Sequence, residues 1–334
     1  MIVAVQPCRR PPDHALLAPG FVDLQVNGHD DVDVATADDD GWARLNRRLA
    51  AQGVTSWLPT LVSAPLDVLD ARIASLSTRL AGPGGPDAVG LHLEGPFLGR
   101  ARGAHPGPGP TEVDLAWIAG LPSSVRLMTI GPECVGAEAA VRLLGDRGIR
   151  TSLGHTTASA ATTERAVDAG ATLFTHVFNA SGRLHHREPG AIGVALSDDR
   201  LCVSVIADGI HVDPRVLRIV WRAKGPSRVV LVTDATGWRA GRLGDAGVTL
   251  VDGAPRLADG TLAGSALRMD GAVRYCVEVV GVGLVEALAA ASANPARLVG
   301  LDDRGSITPG RRADLVALTD DLRVVHTWIA GEVG

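Results

Sequence analysis

The stretch from Arg150 to His176 reads RTSLGHTTASAATTERAVDAGATLFTH. A short run rich in β-formers, Arg150–Leu153, gives way at once to Gly154-His155. A helical apolar period follows over Ala158–Ala169, then a second β-rich run, Thr172–Thr175, that ends on His176. Strand, helix and strand in so short a span describe a parallel pair joined by a helical crossover.

The same alternation extends in both directions. Further strands are predicted at Phe21–Val26, Thr55–Leu58, Val89–Leu93, Arg126–Ile130, Cys202–Ile206 and Val229–Thr233. Helical patterns lie between them at Gly41–Gln52, Leu66–Leu80, Gly136–Arg147 and Pro214–Ala223. Asp213 before Pro214 signals one helix start, and Thr162-Thr163-Glu164 suggests an acidic first turn in another. Eight such strands over about 215 residues is the count of an α/β (β/α)₈ TIM barrel. A doubly wound sheet is the alternative, but no Gly-x-Gly-x-x-Gly follows a strand to support it. The barrel is assigned to residues 19–303. Residues 1–18 and 304–334 read as short strands and turns, and are expected to meet as a small, reduced β-sandwich cap.

Composition narrows the function. The 334 residues are 46% hydrophobic and 21% charged, enough for a large core and too apolar for wholesale disorder. The charge is −5 with no concentrated basic stripe, so phosphate-neutralising nucleic-acid binding is not expected. Lys224 is the only lysine, so any Schiff-base, P-loop or carbamylated-lysine chemistry must run through it or fail. Cys8, Cys134, Cys202 and Cys276 form no Cys-x-x-Cys, which fits reduced thiols better than a disulfide framework or structural zinc. Arg9-Arg10-Pro11-Pro12 interrupts the N-terminus before any signal-peptide core, and no 18-residue apolar run occurs. A soluble, cytoplasmic protein with no membrane partner is the expectation.

The predicted strands end in residues suited to a metal or acid–base site. The first gives Gln25 and Asn27, the third Glu94, the fifth His155 and the sixth His176. Asp208-Gly209-Ile210-His211 follows the seventh and Asp234 the eighth. In a barrel these ends converge on one mouth. Two neutral imidazoles and a carboxylate suit Zn²⁺ with one position left for water, whose pKa such an ion can lower to about 7. Asp234, outside the ligand set, could take that proton and return it to a leaving group. Each residue also has a plainer reading: hydrogen-bonded strand-end histidines, a loop cap at Glu94, an Asx-turn at Asp234. His92 reads as packing beneath Glu94, and His185-His186 as a solvated loop pair. No role is assigned to His14, His29 or His326.

Several segments together resemble the N-acetylglucosamine-6-phosphate deacetylases of the amidohydrolase superfamily. They are Ala18–Gly28 (APGFVDLQVNG), Gly90–Phe97 (GLHLEGPF), Gly154-His155-Thr156 and Thr175–Ala180 (THVFNA). Arg187-Glu188-Pro189-Gly190, Ala207–His211 (ADGIH), Thr261–Ser265 (TLAGS) and Pro309–Val316 (PGRRADLV) continue the match in order to the end of the chain. The resemblance implies Glu94, His155 and His176 as metal ligands and Asp234 as general base and acid. His211 would hydrogen-bond the acetyl carbonyl and stabilise the oxyanion. It also implies a sugar site from Asn179, Ala180, Asp208, Gly209, Ile210, His211, Leu262, Ala263 and Gly264. The phosphate would meet Arg187, reaching across a homodimer interface, and the loop Gly103-Ala104-His105. Many superfamily members carry His-x-His on the first strand. Gln25 and Asn27 stand there as vestigial second-metal positions, so one divalent ion per subunit is expected, Zn²⁺ first and Fe²⁺, Mn²⁺ or Co²⁺ as alternatives.

The chain also departs from the family pattern. Ser181 replaces a usual methionine, Arg102 a usual lysine, and Pro106–Pro110 is proline-rich. Only 18 residues precede the first barrel motif. These changes lie where the far end of a substrate would bind. The alternatives are therefore a deacetylase of another amino sugar, unphosphorylated or of galactosamine type, a superfamily deaminase or cyclic amidase, and a non-catalytic barrel subunit.

Overall fold

The computed structural model describes residues 1–5, 16–80, 85–107 and 109–333. Eight parallel strands run in sequence order round one sheet: Phe21–Val26, Val54–Val62, Leu91–Glu94, Val125–Ile130, Arg150–Leu153, Leu173–Phe174, Cys202–Val205 and Val229–Leu231. The first and eighth meet through a parallel bridge at Val26 and Ala235, with Asp234 N–H donating to the Gln25 carbonyl at 3.0 Å and Asn27 N–H to the Ala235 carbonyl at 2.8 Å. The buried Asp23 carboxylate clips the same seam, accepting the Thr233 hydroxyl at 2.6 Å and the Thr233 N–H at 3.2 Å. The nearly closed parallel barrel excludes the doubly wound alternative.

Helices cover the outside because their apolar faces need the strands. Asp39–Ala50 buries Trp42, Leu45 and Leu49, and Pro214–Lys224 buries Leu217, Val220 and Trp221. Each fully buried leucine contributes about 1.5–3 kcal/mol relative to exposure. Asp213 caps its helix as expected, accepting from Arg215 N–H. The other predicted start is corrected: Ser159 caps Ala160–Asp168 by accepting from Thr162 N–H, and no acidic residue lies in the first turn. Lys224 is buried at its helix end and donates to the Asp198 carbonyl at 2.7 Å, away from the strand-end cavity, so no lysine serves the site.

The termini form a four-stranded antiparallel sheet of Leu16–Pro19, Leu315–Leu318, Val324–Ile329 and Glu332–Val333, which fits the expected cap. Ile2 exchanges backbone bonds with Gly310 and Arg311, in the turn that leads into this sheet. The part of the expectation that falls on residues 6–15, with Cys8, Arg9-Arg10-Pro11-Pro12 and His14, lies outside the described residues, as does Pro108. Cys134, Cys202 and Cys276 are free thiols. Among the described residues no helix is long and apolar enough to cross a membrane.

Candidate active site

The strand ends converge as the alternation requires. Glu94 closes the third strand, and His155, His176 and Asp234 each stand two or three residues past theirs. All four are buried. His155, His176 and Asp234 have φ of +50°, +28° and +49°, a left-handed backbone that side-chain-bearing residues adopt at a cost of about 1–3 kcal/mol each. The turn is what swings each side chain inward over the barrel mouth.

Glu94 Oε1 lies 3.0 Å from both His155 Nε2 and His176 Nε2, which are 3.1 Å apart. His155 Nδ1 donates to the Arg102 carbonyl at 3.0 Å, so in the neutral ring its Nε2 is a lone pair aimed at Glu94 and His176. Two ring nitrogens and a carboxylate oxygen this close share few protons, and a cation among them satisfies all three. The donor set therefore fits a divalent metal of the borderline N/O class. Burial pushes the His155 ring down to about 4, favouring the neutral ligand form. At His176 burial acts the same way, but Glu94 and Asp234 outweigh it and raise the ring. A cation bound there would compete with any proton on the ring. Burial would raise Glu94, yet hydrogen bonds with His105, His155 and His176 hold it well below the usual carboxylate range.

His105 was expected at the phosphate end, and its place beside the metal cluster is the main surprise. Glu94, His105 and His155 each offer a ligand atom within 4.8 Å of the others. His105 is the more distant imidazole, with Nε2 3.5 Å from Glu94 Oε2. Its Nδ1 accepts the Ser63 backbone N–H at 3.2 Å, so the neutral ring carries its proton on Nε2. That makes His105 a donor to Glu94, while His176 Nε2 stands closer to the same carboxylate, at 3.0 Å. The signal lay in Ser63, just past the second strand, which no periodicity connects to residue 105.

Gln25 Nε2 donates to Glu94 Oε1 at 2.8 Å and Asp234 Oδ1 at 3.0 Å, and Asn27 Nδ2 donates to the same Asp234 oxygen at 2.7 Å. Burial, and then the Glu94 charge, push the Asp234 carboxyl up to about 7, a value suited to moving protons near neutrality. His92, on the same strand face as Glu94, is buried in a row of hydroxyls through Thr129, Thr175 and Ser152. Burial pushes it down to about 4, and it packs beneath the site as expected.

The cavity is lined by Asn27, Glu94, Ala104, His105, His155, His176, Asn179, Ala180, His211, Asp234, Leu262 and Gly264, among others. Four of the expected sugar contacts stand back from it. Ala263 is buried in a small apolar cluster with Val62, Leu243 and Val248. Ile210 is 41% exposed, and Gly209 sits against the Tyr275 ring. The Asp208 carboxylate is engaged by its own turn. Arg187 is exposed and does not line the cavity of its own chain.

The amidohydrolase family matches residues 16–334. An N-acetylglucosamine-6-phosphate deacetylase of Bos taurus is 43% identical, over 95% of this chain and 83% of its own length. An N-acetylgalactosamine-6-phosphate deacetylase of Escherichia coli O157:H7 is 40% identical, over 96% and 88%. The solved structure of an N-acetyl-D-glucosamine-6-phosphate deacetylase variant from Mycobacterium smegmatis, in complex with N-acetyl-D-glucosamine-6-phosphate, superposes with a TM-score of 0.92 at 34% identity, covering 99% of this chain and 91% of that one. Strand-end chemistry, barrel and relatives agree: the chain belongs to the amidohydrolase family.

Proposed function

We propose that this protein hydrolyses the acetamide of N-acetylglucosamine 6-phosphate to glucosamine 6-phosphate and acetate. The observation that carries the reading is the convergence of Glu94 Oε1, His155 Nε2 and His176 Nε2 within 3.1 Å, with Asp234 at the same mouth. One divalent ion held by these three would supply Lewis-acid polarisation and a more acidic water; zinc is placed first, with Fe²⁺, Mn²⁺ and Co²⁺ as alternatives. Asp234 takes the proton of the attacking water through the oxygen opposite its two amide donors, and later returns it to the sugar nitrogen. His211 donates to the acetyl oxygen as it gains negative charge. Asn179, Ala180, Leu262 and Gly264 border the space for the sugar.

Among the described residues lining the cavity there is no arginine or lysine to meet a phosphate. Arg187 is exposed at the chain's surface, which supports a homodimer in which it reaches the partner's substrate. A sugar phosphate is confined by its charge to the compartment that makes it, and together with free thiols this supports a cytoplasmic location. The 40%-identical galactosamine-type relative makes the C4 epimer the competing substrate.

Acetate release from both N-acetylhexosamine 6-phosphates and from N-acetylglucosamine, on protein of measured metal content, tests the reading. Preference for N-acetylglucosamine 6-phosphate with about one ion per chain supports it. Preference for the epimer moves the sugar and keeps the mechanism. A metal-loaded protein that releases no acetate from any of them overturns it.

A further inference from the structure

The turn after the seventh strand, Asp208 to His211, was expected to hold the sugar. Its geometry is inward-looking instead. Asp208 Oδ1 accepts the N–H groups of Ile210 and His211, both at 2.8 Å, and Oδ2 faces His211 Nδ1 at 2.6 Å. Burial would raise this carboxyl, but the His211 ring and the two backbone donors outweigh it and keep Asp208 below the usual range. A carboxylate accepts and does not donate, so His211 Nδ1 must carry a proton. Gly209, at φ +78°, lets the turn close against the Tyr275 hydroxyl, 2.8 Å from where a Cβ would sit. Both side chains are nearly enclosed, Asp208 at 10% exposure and His211 at 4%, and His211 lines the cavity.

We propose that Asp208 is a positioning residue for His211 and not a contact for the sugar. It anchors the ring through Nδ1–H and leaves Nε2 as the polar atom available to substrate. The two imidazoles of the cavity that stand outside the metal set are thereby set in opposite tautomers. Ser63 gives His105 a standing Nε2–H, while Asp208 gives neutral His211 an Nε2 lone pair. His211 donates to an acetyl oxygen only when its ring carries both protons, with Nδ1 on the Asp208 carboxylate and Nε2 toward the cavity. The donor is then charge-assisted, stronger than a neutral N–H where negative charge develops. Asp234, across the cavity, and the Tyr275 hydroxyl behind Gly209 are the other titratable groups near the pair. The role of His211 toward the acetyl group rests on the deacetylase reading; the Asp208–His211 anchor does not.

The test uses metal-loaded enzyme with ¹⁵N-labelled histidine, with His211→Asn to assign the ring. In the wild type the Nδ1 resonance should be that of a protonated nitrogen. In Asp208→Asn the amide oxygen can keep both backbone donors while its N–H turns toward the ring, so Nδ1 should lose its proton. That variant should lose about 10- to 100-fold in kcat with KM within about threefold. Asp208→Ala, with no anchor, should lose at least as much. An unprotonated Nδ1 in the wild type overturns the proposal. So does an Asp208→Asn enzyme whose KM rises while kcat holds, since that is the signature of a sugar contact. The wild-type spectrum decides the tautomer even where a variant fails to fold. A wild type that releases no acetate yet shows a protonated Nδ1 sinks the deacetylase reading and upholds the anchor.

Discussion

Asn27 Nδ2 lies 2.7 Å from Asp234 Oδ1, and Gln25 Nε2 reaches the same oxygen at 3.0 Å. Two neutral amides thus occupy one oxygen of the carboxylate and hold its plane, leaving Oδ2 for the proton that the proposed reaction asks Asp234 to move. Asp234→Asn should keep the metal, because Glu94, His155 and His176 are untouched. Turnover should fall about 100- to 10,000-fold. Metal analysis beside acetate release checks both halves, and near-normal activity would remove Asp234 from the mechanism.

The same amides bear on stoichiometry. Their N–H groups face the two carboxylates, so they act as donors where a second cation would need lone pairs. Metal analysis should find about one ion per chain, and chelation should abolish turnover that one equivalent of metal restores. The protein should stay folded without it, melting lower by a few degrees, because the apolar clusters of the barrel do not depend on the ion. Two tightly held ions per chain would contradict this account of Gln25 and Asn27.

Arg187→Ala should weaken use of a phosphorylated sugar far more than of an unphosphorylated one. A lost charge-assisted contact of about 1.5–3 kcal/mol corresponds to roughly a ten- to 150-fold fall in kcat/KM. Mixing Arg187→Ala subunits with Asp234→Asn subunits adds a check on geometry. If the arginine acts across the interface, mixed dimers recover activity that neither parent has. Equal losses on both substrates would leave Arg187 a loop-shaping residue.

Asp23 sets a pH dependence of stability. Burial raises its carboxyl from 3.8 to about 7, partly offset by Thr233. The folded state therefore holds a proton that the unfolded chain releases near 3.8. The stabilisation is fully present below about pH 3.8 and is lost progressively as the pH rises from there through about 7, on the order of a few kcal/mol in total. Asp23→Asn resembles the protonated form. The melting temperature of the wild type should fall relative to that variant between about pH 4 and 7 and level off above, and parallel curves across that range would refute the assignment.

Gly264→Ala probes the roof of the cavity. At φ +65° an added Cβ would sit 2.3 Å from Thr236 Cγ2 and 2.6 Å from the Asp234 carbonyl oxygen. Neither the backbone oxygen nor the buried threonine can yield cheaply. The substitution should cost about 1–3 kcal/mol in denaturant unfolding and lower kcat by displacing Asp234.

Much of this architecture was legible because barrel strands are short, β-branched and bounded by glycine or polar residues. Phe21–Val26 and Arg150–Leu153 match the sequence expectation at both ends. The second strand runs four residues further than its apolar core suggests, through Pro59 to Val62, because it is buried along its whole length. Gly190–Ser197 and Leu284–Ala291 were not anticipated as helices; they are mostly apolar, without the polar stripe that reveals a period. Glu94, His155, His176 and Asp234 could be placed because barrel strand ends must converge. His105 and Asp208 could not, since loop folding and tautomers depend on backbone groups that carry no signal in the sequence.

Lys224 gives the molecule an unplanned practical property. The one side-chain amine of the chain is sealed in the interior and tied to the Asp198 carbonyl. Amine-directed dyes, crosslinkers and resins find no lysine on the surface. A single lysine introduced at any exposed arginine becomes the one side-chain amine at the surface, competing only with the exposed N-terminal α-amine, so the enzyme can be tethered largely in a chosen orientation with the mouth of the barrel facing outward.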